Sequence, residues 1–439
     1  MPRSAPAVRS GWSNWAGNQR ATARSVYRPT DVTEVAEAVR GAVAQGQRIR
    51  PVGSGHSFTD IARTDQCRME LDALGGDIRI DRERRLVTVP AGMTLRALNA
   101  LLAAEGLALP NLGDIDAQTI SGAISTGTHG TGAALGGLAT FVESLTLVTG
   151  TGETLVCAAD RDPDLLAAAR VSLGALGVIV DVTLRCVDAF VLRADERPAR
   201  LDTVLAGLPE LISGHDHVEF YWFPYTDRVQ VKTNDRVAAD DRPLPGWRRR
   251  LDDEFLSNTV FAGACRLGRA VPALAPTISA VSARALTARA YTGPSHTVFC
   301  TPRRVRFTEM EYSLPRAALG EALTALRRIV DGLPEKILFP VEVRFTAADD
   351  IWLSHSHGRE SAYIAIHQFA GAPYQAYFTA FEQVTRELGG RPHWGKLHWR
   401  DAASLAPVYP RFADFLAVRD RLDPHRVFAN EYLDRVLGA

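Results

Sequence analysis

At 439 residues the chain is longer than one hydrophobic core ordinarily organises, so two domains are expected. Apolar residues make up 46% and charged residues 23%, which fits a globular chain and excludes a disordered one. Fifty basic residues balance fifty acidic ones, so nothing calls for nucleic acid or another acidic polymer as a partner. The five cysteines are scattered with no C-x-x-C spacing, so no metal site is expected and a reducing compartment fits. The opening MPRSAPAVRSGWSNW lacks a signal-peptide core, and no apolar run approaches the ~20 residues of a membrane span. The expected location is the cytoplasm, with membrane contact not the leading reading. Only three lysines, Lys232, Lys336 and Lys396, stand among the fifty basic residues, so a lysine inside a motif is informative.

In chain order, Thr30-Asp31 opens a helix. Asp31 is a cap residue, Glu34 stands three on, and Val35, Val39 and Val43 recur at helical spacing up to Gly46. A strand over 48–52 follows, then another over 86–89. A helix over 94–105 places Leu95, Leu98, Leu101 and Leu102 on one face and stops at Gly106. Segments 141–148 and 154–157 form a hairpin, and 173–178 leads into a strand over 179–184. Beyond about residue 190 the pattern changes. Strands at 218–222, 229–233, 306–312, 340–346 and 361–368 are separated by helices at 317–330 and 374–388. That pattern predicts an antiparallel sheet with helices on one face. Residues 236–290, with an amphipathic stretch at 270–290, read as a lid or cap, membrane-surface contact being the secondary reading.

Two polar stretches interrupt this frame. Residues 51–60, PVGSGHSFTD, turn out of a strand with Gly53 and Gly55 around Ser54 and His56. Backbone without Cβ lets successive N–H groups face one acceptor, as a pyrophosphate requires; an ordinary turn is the plain alternative. A Rossmann fingerprint fails because Phe58 holds the third glycine position, and no G-K-[ST] marks a P-loop. In residues 111–132, NLGDIDAQTISGAISTGTHGTG, Gly122, Gly127, Gly130 and Gly132 alternate with Ser121, Ser125, Thr126, Thr128 and Thr131. Bare backbone and hydroxyls at that density suit a long polyanionic ligand. The alternative is a surface loop, but the apolar flanks at 109–112 and 141–148 argue that the segment is held inside.

With Asn14-Trp15-Ala16-Gly17, His393-Trp394-Gly395-Lys396 and Asn430, these stretches resemble the vanillyl-alcohol-oxidase type of flavoprotein over nearly the whole chain. More narrowly, the chain is similar to the sugar-1,4-lactone oxidoreductases (gulonolactone and arabinonolactone oxidases) and the related alditol oxidases. The resemblance implies an α+β fold of two domains. Residues 1–190 would form a PCMH-type FAD-binding domain and 191–391 a substrate domain on an antiparallel sheet, with 392–439 returning to the first. It implies FAD contacts from Pro51, Val52, Gly53, Ser54, Gly55, His56, Ser57, Asp114, Thr119, Gly122, Ala123, Ile124, Ser125, Thr126, Gly127, Ile179 and His393. His56 would bond the flavin 8α-methyl, a role that suits a neutral imidazole nucleophile.

Period-two alternation puts Glu342 and Arg344 on one strand face and Val341, Val343 and Phe345 on the other. An exposed surface pair is the plain reading; the resemblance makes them the substrate-binding and proton-withdrawing pair. It also places Lys396 and His367 in the catalytic pocket, with Glu311 a further candidate. A cation such as Lys396 near the flavin would stabilise its reduced anion. Gly113, lacking a side chain, would leave room for dioxygen and favours an oxidase over a dehydrogenase. The expected reaction oxidises a secondary alcohol of an aldono-1,4-lactone to a 2-keto, ascorbate-type product. Dioxygen or another acceptor then reoxidises the FAD. The alternative is an alditol oxidase acting on xylitol or sorbitol; the 310–316 stretch and His367 tilt the reading to the lactone.

Overall fold

The computed structural model describes residues 10–239, 241–246, 258–301 and 303–439. The first helix, Val32–Ala44, starts where its caps dictate. Asp31 accepts the Glu34 N–H, and Glu34 reaches back to the N–H and hydroxyl of Thr30. Its buried stripe of Val35, Val39 and Ala42 feeds the first core. Gly46 turns the chain at φ +61°, and the strand Ile49–Val52 follows, parallel to Cys67–Glu70, which in turn pairs in parallel with Ser25–Tyr27. The expected helix forms as Leu95–Ala104, capped by the Thr94 hydroxyl on Ala97 N–H. The expected hairpin forms as Val142–Val148 with Thr154–Ala158. These two strands continue, in spatial order, with Val178–Arg185, Leu86–Pro90 and Arg79–Asp81 into a five-stranded antiparallel sheet.

The chain's end is built into the same core. Trp394, Phe415, Phe428, Tyr432 and Leu433 are buried with the residues of the first sheets. The Asn430 side-chain amide donates to the carbonyls of Asp60, Ile61 and Arg63. Buried Arg50 laces the carbonyls of Ile61, Leu173, Gly174 and Phe428 behind the glycine turn. Removal from water draws its pKa down to about 10.

The second sheet has eight strands, all antiparallel. Their spatial order is Arg289–Pro294, Val191–Arg200, Arg228–Val237, His217–Trp222, Val341–Thr346, Ser361–Phe369, Phe307–Pro315 and Arg391–Pro392. One face, carrying Phe220, Trp222, Met310, Tyr312, Val341, Val343, Ile364 and Ile366, packs on helices Leu319–Gly332 and Gln375–Glu387 through Leu323, Leu326, Phe378 and Phe381. The other face turns Glu219, Tyr221, Glu309, Glu311, Glu342, Arg344 and His367 toward the first half. The strand Val191–Arg200 was not expected from its sequence, because arginines and Pro198 mask the pattern. Pro198 is tolerated because it lies beyond Glu196, the last residue paired with the outer strand.

The expected amphipathic stretch at 270–290 is interrupted at Pro272: it follows a helix at Phe261–Ala270, makes a 3-10 turn at Pro272–Leu274, continues as the helix Ala275–Arg284 and ends in the strand Arg289–Pro294. Val260, Leu267, Val271, Leu274 and Val281 are exposed there. Residues 240 and 247–257 of the expected lid lie outside the described residues. Among those described, no helix is long and apolar enough to cross a membrane.

Candidate active site

The motifs that lie far apart in sequence meet around the glycine turn. Trp15 N–H donates to the Gly55 carbonyl, and the Asn14 amide donates to the Ser57 carbonyl. From the far end of the chain, the Gly395 carbonyl accepts from Phe58 N–H and the Trp394 carbonyl from the Thr59 hydroxyl. Gly53 has to be glycine for a local reason: a Cβ there would collide with Thr119 Oγ1. Gly55 sits at φ +69°.

Two cavities open here. The first, about 350 Å³, is walled by Pro51, Val52, Gly53, Ser54 and Gly55 on one side and by Thr119, Ser121, Gly122 and Ser125 on the other, with Ile179 at its edge. The second, about 190 Å³, is walled by the polar face of the eight-stranded sheet. His56, Ser57, Gln118 and Thr126 line both, so they mark the junction. The residues lining the first space suit the pyrophosphate of an FAD. The Thr119 hydroxyl is buried beside the first with no protein partner, and Gly53 and Gly122 leave backbone bare around it.

Three expected cofactor residues line neither cavity. In the helix Ile120–Ser125 the buried face is Ile120, Ala123 and Ile124, which leaves Ser121, Gly122 and Ser125 for the cleft. Helical periodicity thus turns Ala123 and Ile124 into the core. Gly127 packs against the His355 ring. Asp114 lines the second cavity and not the first; its carboxylate is held by Arg303 and Arg344. A Cβ on Gly113 would point at the His129 carbonyl oxygen, 3.0 Å away. Close backbone packing therefore accounts for this glycine, which also lines the second cavity.

The second cavity joins Glu342, Arg344, Lys396 and His367, the expected catalytic residues, with His393, which was expected at the flavin. Arg344 Nη2 lies 2.5 Å from Glu342 Oε1, and its Nε donates to Glu219 at 2.9 Å. The Tyr221 hydroxyl donates to Glu342 at 3.0 Å, and Lys232 backs Glu219 at 3.3 Å. Burial pushes the Glu342 carboxyl up; Arg344 pulls it down, but Asp114 and Glu219 add to the rise, so it stays above the usual glutamate value. Lys396 pairs with Glu309, and His367 Nε2 lies 3.4 Å from the other Glu309 oxygen. Burial raises the Glu309 carboxyl, but Lys396 and then His367 outweigh it and hold it at about 2. His56 stacks on Trp15 with centroids 5.7 Å apart; burial, then Lys396, lowers its pKa, so the ring is neutral near pH 7.

Glu309, Tyr221, Glu219, Arg303 and His129 were missed. Strand alternation places Glu309 on the face of Glu311, and that signal was in the sequence. His129 stood in the quoted Thr-His-Gly run; Arg303 left no local signal. His129 Nε2 lies 3.2 Å from Glu311, and its Nδ1 lies 2.8 Å from the Gly130 carbonyl. His129, Glu311 and His393 offer ligand atoms within 4.8 Å of one another. His393 Nδ1 accepts the Gly395 N–H, which leaves the proton of the neutral ring on Nε2.

A cleft of bare backbone thus meets a buried, charged sheet face. Comparison with known proteins gives the class, an FAD-dependent oxidoreductase. Residues 23–158 match the model of an FAD binding domain, and residues 182–436 match that of D-arabinono-1,4-lactone oxidase. The chain belongs to the D-arabinono-1,4-lactone oxidase family. It is 44% identical to the L-gulono-1,4-lactone dehydrogenase of Mycobacterium tuberculosis, over 97% of this chain and 99% of that one. It is 34% identical to the L-gulonolactone oxidase of Mus musculus, over 97% and 98%. It is 33% identical to an alditol oxidase of a Streptomyces species, again over 97% and 98%. Among solved structures, a solvent-stable cholesterol oxidase superposes with a TM-score of 0.85 at 20% identity, covering 100% of both chains, a likeness of fold alone.

Proposed function

We propose that this chain is an FAD-dependent oxidoreductase that oxidises the C2 hydroxyl of an aldono-1,4-lactone, L-gulono- or D-arabinono-1,4-lactone, to the 2-keto product that enolises to an ascorbate-type compound. One observation carries the reading: the buried Glu342–Arg344 and Glu309–Lys396 pairs share a cavity with His56, where the two spaces join.

The 51–57 turn with Thr119, Ser121, Gly122, Ser125 and Thr126 holds the cofactor, and His56 is its point of covalent attachment. Bound FAD supplies the two-electron acceptor for the hydride that leaves the substrate carbon. Glu342, held above the usual carboxylate range, accepts the hydroxyl proton. Arg344 and Lys396 stabilise the negative charge that develops on oxygen. His367, fixed between Glu309 and the Pro340 carbonyl, orients a ring hydroxyl. In this reading residues 1–190 and 392–439 serve the cofactor and 191–391 the substrate. The final acceptor is dioxygen or another oxidant; the relatives' names include both an oxidase and a dehydrogenase.

The test is to mix the yellow protein with gulonolactone, arabinonolactone or xylitol without oxygen. Bleaching by a lactone faster than by xylitol supports the reading. Faster bleaching by xylitol would assign the alditol oxidase activity instead. No bleaching by any of the three would remove the enzymatic proposal.

A further inference from the structure

The substrate cavity contains a carboxylate that alcohol oxidation does not require. Asp114 leaves the 111–114 turn on the flavin side and enters the fork of Arg303. Its Oδ2 lies 2.5 Å from Arg303 Nη2 and 3.2 Å from Nε, while Oδ1 lies 3.6 Å from Arg344 Nη2. Its own carbonyl accepts the Thr301 N–H at 3.1 Å, which fixes the turn beside that arginine. Arg344 has two further carboxylate partners, Glu219 and Glu342. Among the described residues, Arg303 has an ion pair with Asp114 alone. Without Asp114 the cavity would present one free planar guanidinium beside a second that is already engaged.

A free guanidinium fork is what a substrate carboxylate seeks. The lactone reading, on which this inference rests, makes that a real hazard. Hydrolysis of an aldono-1,4-lactone breaks its acyl C–O bond, adds water and gives the open-chain aldonate, an anion at neutral pH. The aldonate keeps every carbon and hydroxyl of the lactone. Groups that read hydroxyls therefore cannot reject it, and charge can.

We propose that Asp114 is a specificity-determining counter-ion: by occupying Arg303 and facing Arg344, it admits the neutral lactone and excludes the aldonate anion. An incoming carboxylate would have to displace Asp114 from the Arg303 fork, and the two like charges would repel. Specificity here comes from a repulsive element built into the pocket.

The test compares L-gulono-1,4-lactone, L-gulonate and neutral xylitol in the flavin-loaded wild type and in Asp114→Asn, which keeps the shape and removes the charge. Asp114→Ser is the second variant should the first not fold. Two readouts are used: kcat/KM for each compound, and gulonate affinity from perturbation of the flavin spectrum without oxygen. Removing the charge is expected to tighten gulonate binding about tenfold or more, equivalent to ~1.4 kcal/mol. Gulonate should gain relative to xylitol, and adding Arg303→Ala should abolish that relative gain. Unchanged gulonate affinity in the folded variant would overturn the proposal. So would an equal gain for xylitol, or a gain that survives loss of Arg303, since either would mean room rather than charge. Failure of the lactone reading shows separately, as a wild type that does not turn over lactones.

Discussion

The two cavities are made by opposite means. The first is a gap in packing: glycines, small hydroxyls and main chain, with the unpartnered Thr119 hydroxyl at its wall. The second is filled with charge, its carboxylates tied pairwise to cations, within one strand for Glu342 and Arg344 and from the loop after the last strand for Glu309 and Lys396. A cofactor that stays bound needs shape and backbone N–H groups. A substrate that arrives neutral and reacts needs groups that respond to charge only as it develops. The difference predicts separable failures: damage to the sheet face should stop turnover and leave the flavin, whereas damage to the cleft should lose flavin or stability first.

The largest effect tests that separation directly. Arg344→Ala removes the guanidinium that pairs with Glu342 and Glu219. A loss of about 100- to 1000-fold in kcat/KM is expected, with the flavin content and absorbance spectrum retained. Loss of bound flavin along with activity would show that the two cavities are one unit. Next, Gly53→Ala drives a Cβ into Thr119 Oγ1 and should cost roughly 1–3 kcal/mol in denaturant unfolding, together with flavin. Adding Thr119→Ala removes the colliding atom, and the neighbouring Thr119 Cβ is 3.4 Å away, so the double variant should regain most of that stability. A double variant no more stable than Gly53→Ala would show that steric closure is not what fixes glycine at 53.

His56→Ala should have a smaller effect on rate, since neither the sheet face nor the backbone cradle changes. Acid precipitation of the wild type should leave yellow colour in the pellet, and the variant should release it to the supernatant. Colour in the wild-type supernatant would remove the covalent attachment and leave FAD binding intact.

The sequence made the first cavity far more legible than the second. Glycine spacing, the Asp31 cap and the leucine stripe of Leu95–Ala104 are local signals, and local signals survive without the fold. Within the second cavity Glu342 and Arg344 were readable because one strand carries both. Their partners come from elsewhere: Tyr221 is 121 residues from Glu342, and Arg303 is 189 from Asp114. No periodicity encodes such pairings; strand order does, and strand order depends on non-local closure. That is also why Asp114 was placed with the flavin. Its turn was read with the glycine-rich run that follows it, but its carboxylate is claimed by arginines that only the fold brings near. The side chains of Ala123 and Ile124 face the core for a milder reason, since a Gly/Ser-rich helix of six residues still has an inner face.

The smallest effect probes how far the two regions act on each other. Glu342 is the proposed base and its carboxyl is raised, first by burial and, among its neighbours, by Asp114 and Glu219 against the pull of Arg344. A base must be ionised to act, so kcat/KM for the lactone should fall as pH drops through that raised value, placing the acid limb above the ordinary glutamate range. Asp114→Asn removes one of the negative charges that raise it, so the acid limb should move to lower pH. Stability should respond with a definite sign. A carboxyl raised on folding binds its proton more tightly in the native state, so its burial destabilises the protein most above the folded pKa, and that penalty is relieved as pH falls through it. Glu342→Gln should remove both responses. An acid limb that stays in place in Asp114→Asn would mean that the turn on the flavin side and the base on the sheet do not share a field, and the two regions would then be electrostatically independent.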